Sequence, residues 1–78
     1  MATSIYLPKM GMGMEEGSIS EWLVADGERV EVGRALYVLE SDKVETEIES
    51  QAAGTIRLIG EAGGTYPVGT LIAEIDEG

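Results

Sequence analysis

Seventy-eight residues are enough for one hydrophobic core and not for two, because a chain this short buries only a little over ~60% of its unfolded surface. With 44% hydrophobic and 26% charged residues the composition is that of a globular domain that folds alone, not of a disordered acidic tail. Fifteen acidic against five basic residues give a formal charge of -10, which repels phosphate backbones and anionic lipid, excludes nucleic acid as a partner and favours basic protein surfaces.

Cysteine and histidine are both missing, which removes disulfides, thiolate and imidazole metal sites, catalytic triads and cysteine nucleophiles. The one loop with a hint of a calcium site, Asp26-Gly27-Glu28, lacks the required run of Asp and Asn ligands, so no metal is expected. The first residues contain no apolar stretch suited to a signal peptide, and no segment approaches the ~18 apolar residues of a membrane span.

Glycine makes up 11 of the 78 residues, about twice the usual ~7%, and with two prolines it cuts the chain into pieces of strand length. The pieces, in order, are Ser4 to Leu7, Ser18 to Val24, Arg29 to Val32, Ala35 to Glu40, Val44 to Glu49, Thr55 to Ile59, Tyr66 to Val68 and Leu71 to Ile75. The expected fold is therefore all-β with eight short strands. After the first piece, Gly11-Met12-Gly13-Met14-Glu15-Glu16-Gly17 has the wrong glycine spacing for a dinucleotide loop, and no helix follows it. Within it Met10 and Met14 are expected to pack, since methionine fills irregular gaps under loops.

In Ser18 to Val24 and in Ala35 to Leu39 apolar residues occupy both parities, which leaves the buried side open and makes a β-bulge plausible in either. Trp22, the sole tryptophan, is expected in or at the edge of the core rather than as a ligand platform. The alternation is clean only after position 43: Val44, Thr46 and Ile48 share one face, and Glu45, Glu47 and Glu49 form a solvated acidic row on the other. Val44, Ile48, Ile56, Leu58, Leu71 and Ile75 are assigned with Trp22 to the core.

At an offset of 37 the chain partly superposes on itself, Gly17 on Gly54, Ile19 on Ile56, Ala25 on Ala62 and Gly27 on Gly64; at 36, Val32-Gly33 meets Val68-Gly69. Two similar halves imply a quasi-two-fold sandwich or flattened barrel in which each half supplies one apolar face. The end of the second half, Glu74-Ile75-Asp76, is then the counterpart of Leu39-Glu40-Ser41, and the C-terminus should emerge opposite the turn that follows Ser41.

That turn lies in Glu40-Ser41-Asp42-Lys43-Val44, which has strand-like sequence on both sides and no glycine. A type I turn, which avoids positive φ, is expected, with Ser41 first and Asp42 and Lys43 at the two outward-pointing central positions.

Glu40-Ser41-Asp42-Lys43-Val44 resembles the lipoylation motif of the lipoyl domains of 2-oxo acid dehydrogenase complexes, carried by their dihydrolipoamide acyltransferase component. The resemblance extends in order through Leu7-Pro8-Lys9-Met10-Gly11, Met14-Glu15-Glu16-Gly17-Ser18-Ile19, Trp22, Asp26-Gly27-Glu28-Arg29-Val30, Val32-Gly33, Ala53-Gly54-Thr55-Ile56 and Val68-Gly69, covering residues 4 to 76. It implies a flattened barrel of two four-stranded antiparallel sheets with lipoate attached covalently to Lys43 at the tip of a hairpin. It also implies recognition by a lipoate ligase or lipoyl transferase through Glu40, Ser41, Asp42, Val44, Gly27 and Gly54. For the two glycines a tight turn needing positive φ explains the residue type equally well, and for Glu40 a solvated strand end does.

The implied partners are a thiamine-dependent decarboxylase, the acyltransferase core and a flavin-dependent dihydrolipoamide dehydrogenase, with Met12, Glu15 and Glu16 as candidates for recognition by the decarboxylase. The setting expected from the resemblance is the cytoplasm of a bacterium or the mitochondrial matrix of a eukaryote. Chain length points to one lipoyl domain, residues 1–78, cut from a longer acyltransferase. A monomeric carrier is expected, not an enzyme in its own right, because the chain offers an amine, hydroxyls and carboxylates without an activating constellation. Biotinyl carriers share the shape but usually flank their lysine with methionines, where Asp42 and Val44 stand here. The glycine-cleavage carrier is longer with a different motif, and an unmodified interaction module of the same fold is the remaining alternative.

Overall fold

The computed structural model describes residues 2–42 and 44–78, so Met1 and the expected attachment residue Lys43 lie outside the described residues. Eight strands follow one another: β1 (Ala2–Tyr6), β2 (Glu16–Trp22), β3 (Arg29–Val30), β4 (Ala35–Ser41), β5 (Val44–Glu49), β6 (Gly54–Leu58), β7 (Thr65–Pro67) and β8 (Leu71–Asp76). They match the eight expected segments, with ends displaced by a residue or two; Val32 falls outside β3 and is exposed.

The strands form two antiparallel four-stranded sheets, ordered β1-β8-β6-β3 and β5-β4-β2-β7. Advancing every strand of the first sheet by four, cyclically, generates the second, which is the pseudo-two-fold that the internal repeat implied. The repeat is not used as expected, however. Each sheet takes two strands from each half, so the halves interleave instead of supplying one face apiece. Such an exchange gives each half backbone partners in the other, and neither half is left with a complete sheet of its own.

The two segments whose buried side was open in the sequence both carry irregular registers. Between Ile19 and Glu21 the pairing of β2 with β4 slips by one, leaving Ser20 as a surplus residue. Between Ala35 and Tyr37 the pairing of β4 with β5 slips likewise, with Leu36 surplus. The third slip, between β1 and β8, makes Ile72 surplus, and Ile72 lies 36 positions after Leu36. Hence Leu36 and Tyr37, and again Ile72 and Ala73, are consecutive buried residues, which unbroken alternation would forbid. The core is Leu7, Ile19, Val30, Leu36, Tyr37, Leu39, Ile56, Ile72 and Ile75, with Trp22, Ile48 and Leu58 packed partly buried against it. Val44 does not belong to it: at 62% exposed it stands at the closing pair of the hairpin, beyond Leu39, the last inward-facing residue of β4.

Tyr37 is the largest fully buried side chain. Its ring meets that of Trp22 at 5.1 Å in a tilted contact, and the Trp22 Nε1–H donates to the Gly60 carbonyl at 3.0 Å. Its hydroxyl has no hydrogen-bond partner among the described residues, and burial pushes its pKa up to about 12. An unpaired buried hydroxyl opposes folding, so Tyr37→Phe should leave stability unchanged or raise it by about 1 kcal/mol. The sign with pH follows from a folded pKa above the unfolded one. The neutral phenol's contribution is complete below pH 10 and is lost as pH rises toward 12. Urea midpoints of wild type and Tyr37→Phe should therefore diverge from pH 9 to pH 12, the wild type falling faster; parallel curves would contradict the buried, unpartnered phenol.

Candidate functional site

β4 and β5 are joined by the tightest connection available to antiparallel strands. Ser41 pairs with Val44, and only positions 42 and 43 intervene. Ser41 is the first residue of the turn, as its type suggested. The turn itself differs from the expected type I, because Asp42 has φ +49°. A two-residue loop must follow the right-handed twist of its strands, and mirror-image turns with positive φ at the first central residue do so. Aspartate, with its short polar side chain, enters this left-handed region more readily than most residues, so glycine is dispensable here.

Three carboxylates surround the turn. Glu40 and Asp42 are exposed, and Glu40 lies directly opposite Glu45 across the hairpin, with Ser18 on its other side. Like charges facing each other on neighbouring strands weaken the pairing slightly. Together they make this end of the hairpin negatively charged.

The chain between β1 and β2 lies against this hairpin. Gly13 has φ +82°, the Met14 N–H donates to the Gly11 carbonyl at 3.2 Å, and the Met10 N–H donates to the Met14 sulfur at 3.1 Å. Met14 packs on the core, as expected, over Gly17, where an added Cβ would stand 3.0 Å from the Met14 methyl and 2.9 Å from Leu39 Cδ1. Met10 does not pack as expected: it is 51% exposed, because only its backbone is held to Met14. Met12 is fully exposed. A shallow cavity of about 200 Å³ separates loop from hairpin, lined by Met10, Gly11, Met12, Met14, Leu39, Ser41, Asp42, Val44 and Thr46. On the other flank Glu16, Gly17, Ser18 and Thr65 share a second depression with Glu40, Ser41 and Asp42.

Of the candidate partner residues, Met12 and Glu16 thus adjoin the hairpin, whereas the exposed Glu15 lines neither depression. Thr46, Ser18 and Thr65 were not singled out from the sequence. The Ser18 and Thr65 hydroxyls lie 2.7 Å apart, and only the strand register, with Ser18 opposite both Glu40 and Thr65, brings them here.

Gly27 and Gly54 are elsewhere. They belong to the end of the other sheet, where β3, β6 and β8 meet, and Gly27 lines a hollow with Ala2, Asp26, Thr55, Arg57, Glu74 and Asp76. Gly27 has φ +87° at the third position of a turn closed by the Glu28 N–H to the Ala25 carbonyl at 3.0 Å. At Gly54 an added Cβ would strike the Asp76 carbonyl oxygen and lie 2.8 Å from its carbon. Glycine is thus required at both for local reasons. Among the described residues no group of three or more Asp or Glu side chains converges in a way that could hold a metal ion.

Residues 3–75 match the biotin/lipoyl family, described as "Biotin-requiring enzyme". The chain is 42% identical over 77 residues to the dihydrolipoyllysine-residue acetyltransferase component of the pyruvate dehydrogenase complex of Corynebacterium glutamicum, covering 97% of this chain and 11% of the relative. It is 39% identical over 75 residues to the dihydrolipoyllysine-residue succinyltransferase component of the 2-oxoglutarate dehydrogenase complex of Staphylococcus saprophyticus, covering 95% of this chain and 18% of that protein. To the lipoamide acyltransferase component of the branched-chain alpha-keto acid dehydrogenase complex of Bacillus subtilis it is 41% identical over 71 residues, covering 90% of this chain and 17% of that one. The chain therefore spans up to about a fifth of the length of these relatives. An eight-stranded fold with a two-residue hairpin at Ser41 and Val44, joined to a match over nearly every residue, places this chain in the biotin/lipoyl family.

Proposed function

We propose that the chain is a lipoyl carrier, with lipoate joined through an amide to the side-chain amine of Lys43. The observation that carries this reading is the closing pair Ser41–Val44, which makes the lipoylation-like segment Glu40-Ser41-Asp42-Lys43-Val44 span a two-residue hairpin connection. The acidic, open surroundings formed by Glu40, Asp42 and Val44 leave a modifying enzyme room to approach. Asp42 and Val44 also favour lipoate over biotin, since biotinyl carriers usually have methionines there. The relatives carry dihydrolipoyllysine or lipoamide in their names, which supports the same choice.

A ligase that presents lipoate as an activated acyl group transfers it to the neutral amine, with loss of the activating group and one proton. One positive charge disappears, taking the formal total from -10 to -11. The bound group supplies a disulfide that accepts an acyl group and two electrons. The protein's own part is to hold the attachment point on a rigid β-scaffold and present a surface that the partners distinguish. Those partners are a thiamine-dependent decarboxylase, an acyltransferase core and a flavin-dependent dihydrolipoamide dehydrogenase, and the chain is one domain of a longer acyltransferase. Tethering raises the local concentration of the arm at each active site into the millimolar range for short flexible linkers, about as far as a carrier without catalytic groups can contribute.

The chain has two lysines, Lys9 and Lys43, so one serves as the control for the other. Incubation with lipoate ligase, ATP and lipoate should add a single lipoyl mass, located at Lys43 by peptide mapping. Lys43→Arg should gain none, keep its stability within about ±0.5 kcal/mol and lose reductive acylation by a cognate decarboxylase. Lipoyl on Lys9, or a biotin adduct when biotin and a biotin ligase take the place of lipoate and its ligase, would refute the assignment. Asp42→Ala should lower stability by about 1 kcal/mol in thermal unfolding, because alanine enters the left-handed region less readily than aspartate, whereas Asp42→Gly should be tolerated.

A further inference from the structure

The cavity between the loop and the hairpin does not end at Thr46. Met10 and Thr46 also begin a second, more open cavity of about 550 Å³ that runs past Pro8 and Ile48 to Gly33 and Gln51. Sharing Met10 and Thr46, the two make one trough along β5, an edge strand whose only hydrogen-bonded neighbour among the described residues is β4. β5 contributes Val44, Thr46 and Ile48 to it, with Glu47 and Glu49 also lining its more open part, and the loop contributes Pro8, Met10 and Met14. Val44 and Met10 are each more than half exposed, so apolar surface stays open along a strand whose other residues are glutamates.

We propose that this trough binds the methylene chain of the acyl arm on Lys43 and gives the cofactor a docked resting position on its own domain, an inference that rests on the lipoyl-carrier reading above. Origin, length and charge all favour this occupant. The arm starts between Asp42 and Val44, and both line the near end of the trough. From Val44 to Ile48 the strand runs ~13 Å at ~3.3 Å per residue. A lysine stem with an eight-carbon acyl chain, about eleven bonds from Cα to the ring, reaches on the order of 14 Å at ordinary bond lengths. Counted from position 43, one residue further back, that reach takes the ring past Thr46 and toward Pro8 and Ile48.

The amide-linked arm is uncharged, so Glu45, Glu47 and Glu49 do not oppose it, whereas an anionic ligand would be repelled. Methionine walls suit a flexible guest, since unbranched, polarizable side chains adapt to its changing contour. A weak hold suffices. The disulfide is drawn against the domain between transfers, and a partner that covers the Met10–Met14 loop displaces it.

The test uses the domain with 13C-methyl methionine, before and after enzymatic lipoylation, with intact mass recorded on each sample. The Met10 and Met14 methyl resonances should shift and show nuclear Overhauser contacts to the arm's methylenes. An octanoyl arm, which has the chain without the sulfurs, should give the same contacts. In Met10→Glu, with the lipoyl adduct verified by intact mass, the contacts at the remaining Met14 methyl should be lost. A domain that gains the lipoyl mass with both methyls unmoved and no contacts overturns the docked arm while leaving the carrier reading intact. A wild-type domain that gains no mass overturns the carrier reading itself, and the docked arm with it.

Discussion

The constraint on which this molecule depends is the insertion of one extra residue, Leu36 in β4 and Ile72 in β8, at equivalent points of the two halves. A strand that alternates strictly can present only every second side chain inward, and strands this short cannot fill the space between two sheets that way. With the surplus residue, each of these central strands buries two neighbours in succession and then a third after a gap, and the burial sequences of β4 and β8 agree at all six positions of the shorter strand. The same slip increases the local twist, which lets a four-stranded sheet curl over its partner and leaves Leu36, Leu39, Ile72 and Ile75 in a single core.

Beyond Leu39 the next residue of β4, Glu40, is exposed, and Ser41 already opens the turn. The hairpin therefore projects past the core while remaining continuous with the best-anchored strand of its sheet. The segment that resembles a lipoylation motif is thus borne at the end of the strand that also supplies Leu36, Tyr37 and Leu39 to the core. The charges follow a related logic. β5 is an edge, and an exposed edge with apolar side chains invites pairing with another chain. Glu45, Glu47 and Glu49 discourage it and leave the apolar parity free to face the loop between β1 and β2.

The number and order of strands were legible in the sequence because glycine and proline punctuate it and β5 alternates without exception. The quasi-two-fold was legible for a related reason, since glycines at matching turns must recur when the backbone repeats. The interleaving of the halves was not, because a repeat specifies similarity and not which half each strand pairs with. The turn at Asp42 was misjudged by treating glycine as the sole route to positive φ, whereas strand twist demanded it and aspartate supplied it. Val44 was misjudged because alternation identifies a face and not how far along that face the core reaches. The depression shared by Ser18, Thr65 and Glu40 depends on cross-strand register between residues remote in the chain, for which no local pattern exists.

The pseudo-two-fold also isolates what distinguishes one end of the domain from the other. Gly17 and Gly54 occupy equivalent places, each beneath the end of a central strand: Gly17 against Leu39 and the Glu40 carbonyl, Gly54 against Ile75 and the Asp76 carbonyl. At the second of these ends β8 and β1 lie side by side, Asp76 opposite Ala2, where at the first β4 and β5 are joined by the hairpin. The loops differ as well. Residues 50–53, between β5 and β6, make a short connection pinned by Ser50, whose hydroxyl accepts from the Ala52 N–H. Residues 7–15, in the corresponding place between β1 and β2, form the methionine-bearing loop against the hairpin. A fold that is nearly symmetric in its strands has thus become asymmetric through one closed turn and one lengthened loop, and those two departures lie next to each other. Because site and fold are separable, it is these two departures, and not the strands they share with the rest of the domain, that support reading the hairpin and the 7–15 loop together in the proposed carrier role.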